Sequence, residues 1–521
     1  MNTPVFSPAI EQEFQKKNIH RELTLSILDR YNRGDFSHIE PIIVKSVPEI
    51  DGKQIIDLTG DVRYSVAAAT ACERLSGMIT PEALNRIAEV REKNLHFTSR
   101  GLQHLGMLLL PYTAFGILNG GSASSYIDEK KNRSFSRKLY DLAGESFAAA
   151  ASQAKGKPKG ISPAFTHPDG TPGPSFLELK IRSLLLLSLR YRNLHGAPAC
   201  DETDLGMLPL FQMTSAYTDK QLADALKGYS DSPLLQGLEP GSHPSILSPL
   251  SAQQPLIAAY THSNRKGPKR LFTEAWGKPD TLLPLPGGHG QNFAVLADIY
   301  RRLYRGGKRF AYLGNIDNLG NTIHPVALAL FALSGGQGAF EFSYKTAVDI
   351  KGGILIRDQK DRLSAADIGP AIPEAEVLQK EQAGIPILFN CATGLFDLRY
   401  FSEHINTLAE NLPVRFSDQN KDAGMYSQAE QITWEVIGML EKPLIFAVNK
   451  YRRFLASKLL LENLMTSGVK MDDPGYPEEL KALSRKLHDG LQYMLTGPYG
   501  LNRQGDRWVA MNASEVLKKD L

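Results

Sequence analysis

Across the middle of this chain, short apolar runs alternate with segments whose apolar residues recur every three or four positions. The runs are Phe115–Leu118, Leu208–Gln212, Phe310–Leu313, Ala339–Phe342, Ile354–Ile356 and Ile387–Phe389. Between them lie helical patterns such as Phe293, Leu296, Ile299, Tyr300 and Leu303, which Gly306-Gly307 can stop. That alternation predicts an α/β domain over 111–410, with a mixed, mainly parallel sheet flanked by helices. Residues 1–110 read as a mostly helical N-terminal region and 411–521 as a helical C-terminal region. The latter ends in an amphipathic helix (Leu480, Leu483, Leu487, Leu491, Met494) and a polar tail. The Pro- and Gly-rich segments 155–175 and 232–254 predict loops, the second a long surface insertion. There is no internal repeat.

Composition narrows the class. A chain of 521 residues with 42% hydrophobic content can bury a sizeable core. A net charge of +3 gives no global attraction to nucleic acid or to a membrane surface. The apolar stretches Leu184–Leu187 and Leu105–Leu118, the second broken by Pro111, are too short or interrupted to span a bilayer, and no basic segment followed by an apolar core opens the chain. Cys72, Cys200 and Cys391 are scattered without metal-ligand spacing. Together these features predict a cytoplasmic protein with buried thiols.

Candidate chemistry collects where apolar runs end. The strand before Asn315 stops abruptly in Asn315-Ile316-Asp317-Asn318-Leu319-Gly320. In an open α/β sheet such a cluster lies at the carboxyl ends of strands, where a metal, a ribose or phosphates are held. Phe115–Leu118 runs into Asn119-Gly120-Gly121-Ser122-Ala123-Ser124, and paired glycines let backbone N–H groups approach a nucleobase or phosphates, though the same pair also makes an ordinary turn. Lys159, fixed after Pro158, is either a solvated loop charge or a point charge for a phosphate leaving group. Met213–Asp219 ends a strand and opens a helix for which Thr218 is a natural N-cap. Gly288-His289-Gly290 predicts a histidine exposed to a crevice. Lys458 follows a basic run, Tyr451-Arg452-Arg453, that reads as a surface helix.

These segments carry a resemblance. Pro286 through Gly290, then Asn315–Gly320, then Lys345-Thr346-Ala347-Val348-Asp349-Ile350-Lys351-Gly352-Gly353 are similar, in order and spacing, to the UTP–glucose-1-phosphate uridylyltransferase (UDP-glucose or UDP-sugar pyrophosphorylase) family. Thr273-Glu274-Ala275-Trp276, the glycine loop, Lys159 ahead of Phe176-Leu177-Glu178-Leu179, and Arg453–Lys458 add to it. The likeness covers about 113–465 and is densest over 273–356. It implies a Rossmann-like, GT-A-like nucleotidyltransferase with Mg²⁺ as cofactor and UTP, a hexose 1-phosphate, a UDP-sugar and pyrophosphate as partners. It implies that Asp317 holds Mg²⁺, and that Lys458 and Lys159 neutralise phosphates. Gly120, Gly121, Met213 and Gly288 would surround uridine. His289, Asn315, Gly353 and Asn390 would face the sugar phosphate, and Glu430 resembles an acidic residue of the family.

The departures are specific. Ala123 and Ser124 stand where the family has Gly and Thr, Ala456-Ser457 where it has Pro-Val, and Cys391-Ala392-Thr393-Gly394 where it has amides facing the sugar. Some thirty extra residues, rich in Lys, Arg and Ala, separate the glycine loop from Lys159 and predict a mobile helix or lid. The short helical tail after Lys458 offers no counterpart to the family's C-terminal β-helix. Glucose 1-phosphate is the expected sugar substrate. A UDP-N-acetylhexosamine or broad UDP-sugar pyrophosphorylase, or a non-catalytic UDP-sugar-binding protein, are the alternatives. A dinucleotide oxidoreductase is excluded because no Gly-x-Gly-x-x-Gly follows a strand.

Overall fold

Strands with both faces covered form the centre of the molecule, as expected of near-continuous apolar runs such as Thr113–Leu118 and Phe310–Asn315. The computed structural model describes residues 6–36, 43–123, 125–238, 244–346, 349, 352–369 and 371–518. Its central sheet has 11 strands: β1 (Val44–Ser46), β2 (Ile55–Asp57), β3 (Thr113–Leu118), β4 (Leu210–Ser215), β5 (Leu250–Gln254), β6 (Phe310–Asn315), β7 (Gly338–Tyr344), β8 (Gly353–Asp358), β9 (Leu363–Asp367), β10 (Leu388–Asp397) and β11 (Pro443–Val448). The order across the sheet is β2-β11-β7-β10-β6-β3-β4-β5, with β8 branching from β10 to β9 and β1. Neighbours are parallel except where β10 runs antiparallel between β6 and β7, and in the β8 branch. All six expected runs fall in or overlap these strands, in a mixed, mainly parallel sheet flanked by helices.

Alternation along each strand feeds two cores. Phe310 and Tyr312 point into one buried cluster, while Ala311 and Leu313 point into the other. The first cluster is closed by helices Ser99–Leu108, Phe176–His195 and Pro325–Ser334, the second by Ala297–Arg305 and Leu398–Asn411. Helix Phe176–His195 is buried on nearly every side, charged residues such as Lys180 and Arg182 included. Ser175 caps it by accepting from the Glu178 N–H, and Gly196, at φ 78°, ends it. No helix among the described residues is long and apolar enough to cross a membrane.

Several expectations differ from the structure. The N-terminal region, read as mostly helical, supplies β1 and β2 to the sheet besides its helices. The boundary at 410 divides one unit, because β11 lies hydrogen-bonded between β2 and β7. Its six residues are buried on both faces, a run that the surrounding helical pattern obscured. Segment 232–254, expected as a surface loop, ends in β5, paired in parallel with β4. The extra residues before Lys159, expected as a mobile helix or lid, are helical over Glu129–Phe135, Arg137–Leu142 and Gly144–Ala154 but packed. They share a buried cluster with helix Leu460–Thr466. The tail beyond helix Glu478–Thr496 is a hairpin, Leu501–Gln504 with Arg507–Ala510, and a short helix.

Helices Ser99–Leu108 and Pro325–Ser334 touch through Gly106, where a Cβ would stand 1.9 Å from the Pro325 carbonyl oxygen. Gly106→Ala should therefore lower the unfolding free energy by about 1–3 kcal/mol, read from the urea midpoint, because backbone rather than a flexible side chain must move.

Candidate active site

The loop that follows β6 is held from two sides. The Asn318 side chain accepts at Oδ1 from the backbone N–H of Leu455 (3.0 Å) and of Gly320 (2.9 Å), and donates from Nδ2 to the Arg453 carbonyl (3.0 Å). The Leu319 N–H adds a bond to the Leu455 carbonyl at 3.1 Å. Gly320 is required by this contact, since a Cβ there would lie 2.2 Å from the Arg453 carbonyl carbon. From below, the Lys180 ammonium donates to the carbonyls of Asn318 (2.6 Å) and Asn321 (2.7 Å) and to the Tyr499 hydroxyl (3.0 Å). Burial pushes its pKa well down, with Arg453 adding to the effect, and these three acceptors match the three N–H bonds of an ammonium.

Arg453, read as part of a surface helix, is buried. Its guanidinium pairs with Glu341 of β7 through Nε (2.9 Å) and Nη2 (2.6 Å), and donates to the Thr322 hydroxyl and carbonyl. Lys450 is buried too, paired with Asp349 of the Lys345–Gly353 segment. The residues Ala347, Val348, Ile350 and Lys351 of that segment, and Ser124 of the glycine loop, lie outside the described residues. Sequence periodicity missed Lys180, Arg453 and Glu341. For Glu341 the available signal was a charge inside an otherwise apolar strand.

With the loop clamped, Asp317 points outward. Its Oδ2 accepts from Lys159 Nζ at 2.6 Å, and the same ammonium donates to the Ser457 carbonyl at 2.8 Å. The Tyr126 ring lies 4.9 Å from it, a cation–π contact. Lys159 and Asp317 side chains are 12% and 20% exposed, so the pair sits at the floor of an opening. Lys458 is exposed one residue beyond Ser457, where Glu462 accepts its backbone N–H at 2.8 Å. Residues 159, 317 and 458, far apart in the chain, are thus brought to one rim. Asn315, half-buried, ends β6 beside Leu118.

The glycine loop crosses the same rim. The Lys159 N–H donates to the Gly121 carbonyl (3.0 Å), and the Ala123 N–H to the Lys157 carbonyl (3.1 Å). Gly121 has open space where a side chain would project, whereas Gly120 packs on Thr214 and accepts from the Ser215 hydroxyl at 2.9 Å. Met213, expected beside uridine, has its side chain packed in the second core and its carbonyl taken by the Asn119 N–H at 2.8 Å. β4 enters the sheet interior here, so the side chain is enclosed. Thr218 occupies the N-cap position, but its hydroxyl bonds to Ser215 instead of capping the helix.

His289 is a correction. The ring, expected to be exposed, is partly enclosed, and its Nδ1 accepts from the Thr433 N–H at 3.1 Å, which leaves the proton on Nε2. The flanking glycines serve the packing: at Gly288, φ 83°, a Cβ would meet the Gln431 carbonyl at 2.4 Å, and at Gly290 it would meet the Gln431 carbonyl carbon at 2.6 Å. Glu430, on the same strand as Gln431, accepts from Gln428 at 2.9 Å, and burial raises its carboxyl pKa. Gly353 and Asn390 come together at the β8–β10 junction, where the Asn390 Cβ is 3.9 Å from the position a Gly353 Cβ would take. Asn390 Oδ1 accepts from the Ala392 N–H at 2.8 Å, its Nδ2 has no hydrogen-bond acceptor among the described residues, and Ala392 adopts φ 50°.

Burial lowers the His289 pKa to about 4, against about 6.5 in an unfolded chain. The folded state binds fewer protons over this window, so the stability His289 contributes is complete above pH 6.5 and is lost as pH falls toward 4. Urea midpoints measured from pH 7.5 to 4.5 should fall less steeply in His289→Gln than in the wild type; parallel curves would show that the ring is not held neutral.

A family model described as UTP–glucose-1-phosphate uridylyltransferase matches residues 173–468, more than half of the chain. No curated protein matches the sequence. Among solved structures, a point mutant of UDP-glucose pyrophosphorylase from Leishmania major is 16% identical, with 89% of this chain and 79% of that chain covered at a TM-score of 0.54. UDP-glucose phosphorylase from Trypanosoma brucei is 15% identical, with 88% and 77% covered at a TM-score of 0.52. A second Leishmania major mutant, in complex with UDP-glucose, is 15% identical, with 89% and 79% covered at 0.52. At these identities the likeness is one of fold. The match over 173–468 takes in the Asn315–Gly320 loop, the Gly288–Gly290 turn and the segment bearing Lys458, and by it the chain belongs to the UTP–glucose-1-phosphate uridylyltransferase family.

Proposed function

We propose that this chain is a nucleotidyltransferase that joins UTP and a hexose 1-phosphate, glucose 1-phosphate first among them, into a UDP-sugar and pyrophosphate. The observation that carries the reading is the meeting of Lys159 and Asp317 at 2.6 Å beside the segment bearing Lys458, at the carboxyl end of β6. A phosphate oxygen of the sugar phosphate attacks the α-phosphorus in line, a new P–O bond forms, and the bond to the β-phosphate breaks. Catalysis of this kind rests on positioning and on neutralising charge that spreads over phosphate oxygens.

Lys458, exposed at the rim, meets the α-phosphate, and Lys159 meets the departing pyrophosphate. Gly121, open to solvent, lets the backbone approach the nucleotide; Gly120, Gly288 and the partly enclosed His289 shape the wall. Among the described residues no three His, Cys, Asp or Glu side chains gather into a ready-made metal cage. One outward carboxylate, Asp317, nevertheless suits Mg²⁺, which binds through one or two carboxylates plus substrate oxygens. When bound, Mg²⁺ supplies Lewis-acid neutralisation of the triphosphate. Asn315, Gly353 and Asn390 face the sugar phosphate. With Asn390 Oδ1 engaged by Ala392, the hydrogen-bonding group left for a sugar hydroxyl is its Nδ2. The three free cysteines agree with a reducing, cytoplasmic setting.

Pyrophosphate release from UTP and Mg²⁺ should be seen with glucose 1-phosphate in a panel that also holds galactose and N-acetylglucosamine 1-phosphates. Lys458→Ala should lower kcat/KM by about 100-fold or more. Release confined to N-acetylglucosamine 1-phosphate would reassign the sugar. Saturable UDP-glucose binding without release from any sugar would make the chain a binding protein.

A further inference from the structure

Lys159 occupies the carboxylate that the reaction needs. Its ammonium is 2.6 Å from Asp317 Oδ2 and 2.8 Å from the Ser457 carbonyl, and it lies over the Tyr126 ring at 4.9 Å. Its backbone is anchored as well, through the N–H bond to Gly121. The side chain is 12% exposed, so water screens the pair weakly. A divalent cation bound at about 2.1 Å from this carboxylate would face an ammonium of like charge within a few ångströms.

We infer that Lys159 is a counter-ion lock: with the nucleotide site empty it neutralises Asp317 and keeps divalent cations from binding there, and a triphosphate opens the site by drawing Lys159 away. The inference rests on the reading of Asp317 as the cation ligand of a nucleotidyl-transfer site. A triphosphate supplies the trigger, because its several negative charges offer the ammonium a stronger partner than one carboxylate. Opening also releases the Ser457 carbonyl, one residue before Lys458. Metal uptake thereby follows the substrate that needs it, and an empty site does not collect free cations. Tyr126, buried with no hydrogen-bond partner for its hydroxyl, backs the locked position with its ring face.

The test is Mn²⁺ binding followed by electron paramagnetic resonance without nucleotide, in wild type, Lys159→Gln and Lys159→Gln/Asp317→Asn. Lys159→Gln should bind Mn²⁺ roughly tenfold or more tightly than wild type, and the double variant should lose the gain. Equal Mn²⁺ affinity in wild type and Lys159→Gln would overturn the lock. A second measurement needs no variant: with the nucleotide site empty, the enclosed Lys159 should resist acetylation by an amine-reactive reagent while the exposed Lys458 is labelled, read by mass spectrometry. Lys159 labelled as readily as Lys458 would likewise overturn the proposal. Failure of the lock in a wild-type protein that releases pyrophosphate from UTP leaves the transferase reading intact. A tightened Lys159→Gln in a chain that never releases pyrophosphate removes that reading and keeps the lock.

Discussion

The Asn318 carboxamide is the constraint on which the candidate site depends. A single side chain fastens the turn after β6 to residues 453–455, using both its oxygen and its nitrogen. With the Leu319–Leu455 backbone bond, it fixes the register of two segments more than a hundred residues apart and so sets Asp317 beside Ser457. An amide is suited to the task because it both donates and accepts within one rigid plane. Gly320 completes the fit by removing the atom that would separate the two backbones.

Charges buried around that junction hold it in place at a cost. Arg453 with Glu341, and Lys450 with Asp349, are withdrawn from water, and pairing with hydrogen bonds offsets part of the hydration each loses. Arg453 spans β7, Thr322 and its own segment, so its fork ties the sheet to the loop. Lys180 does the same from helix Phe176–His195 by donating to the carbonyls of Asn318 and Asn321 in the tight turn. These groups touch no expected substrate. Their work is to keep a loop of irregular backbone rigid where a sheet ends, since uncommitted carbonyls there would be costly to bury.

The contrast between Lys159 and Lys458 follows from their surroundings. Both are lysines near the same carboxylate, yet one is enclosed by Asp317, Ser457 and Tyr126 while the other projects to solvent. An enclosed ammonium with a strong partner acts as an internal charge until a stronger anion arrives. An exposed one meets a ligand directly. The helices between Gly121 and Lys159 support the enclosed state, because they share a core with helix Leu460–Thr466 and hold Tyr126 beneath the ammonium.

Much of the sheet was legible in the sequence, because a strand buried on both faces must be apolar along its length, and Phe115–Leu118 and Phe310–Leu313 declare themselves that way. The ordered motifs around Gly288, Asn315 and Lys345 likewise pointed to a nucleotidyltransferase family, since turns that must approach a backbone or a ligand closely require Gly, Asn and Asp at fixed spacing. The roles of individual residues were less legible. Gly-His-Gly looks the same whether the glycines make room for a ligand or, as here, for Gln431, and a Met after an apolar run does not reveal which face is closed. Arg453 read as a surface charge, and nothing near Lys180 in the chain marked it as a clamp, because their partners, Glu341 and the carbonyls of Asn318 and Asn321, lie more than a hundred residues away. The sequence by itself determined the six apolar runs that became central strands and which residues could do chemistry. Only the tertiary structure decided which charges are buried and paired, because pairing depends on contacts between segments distant in the chain.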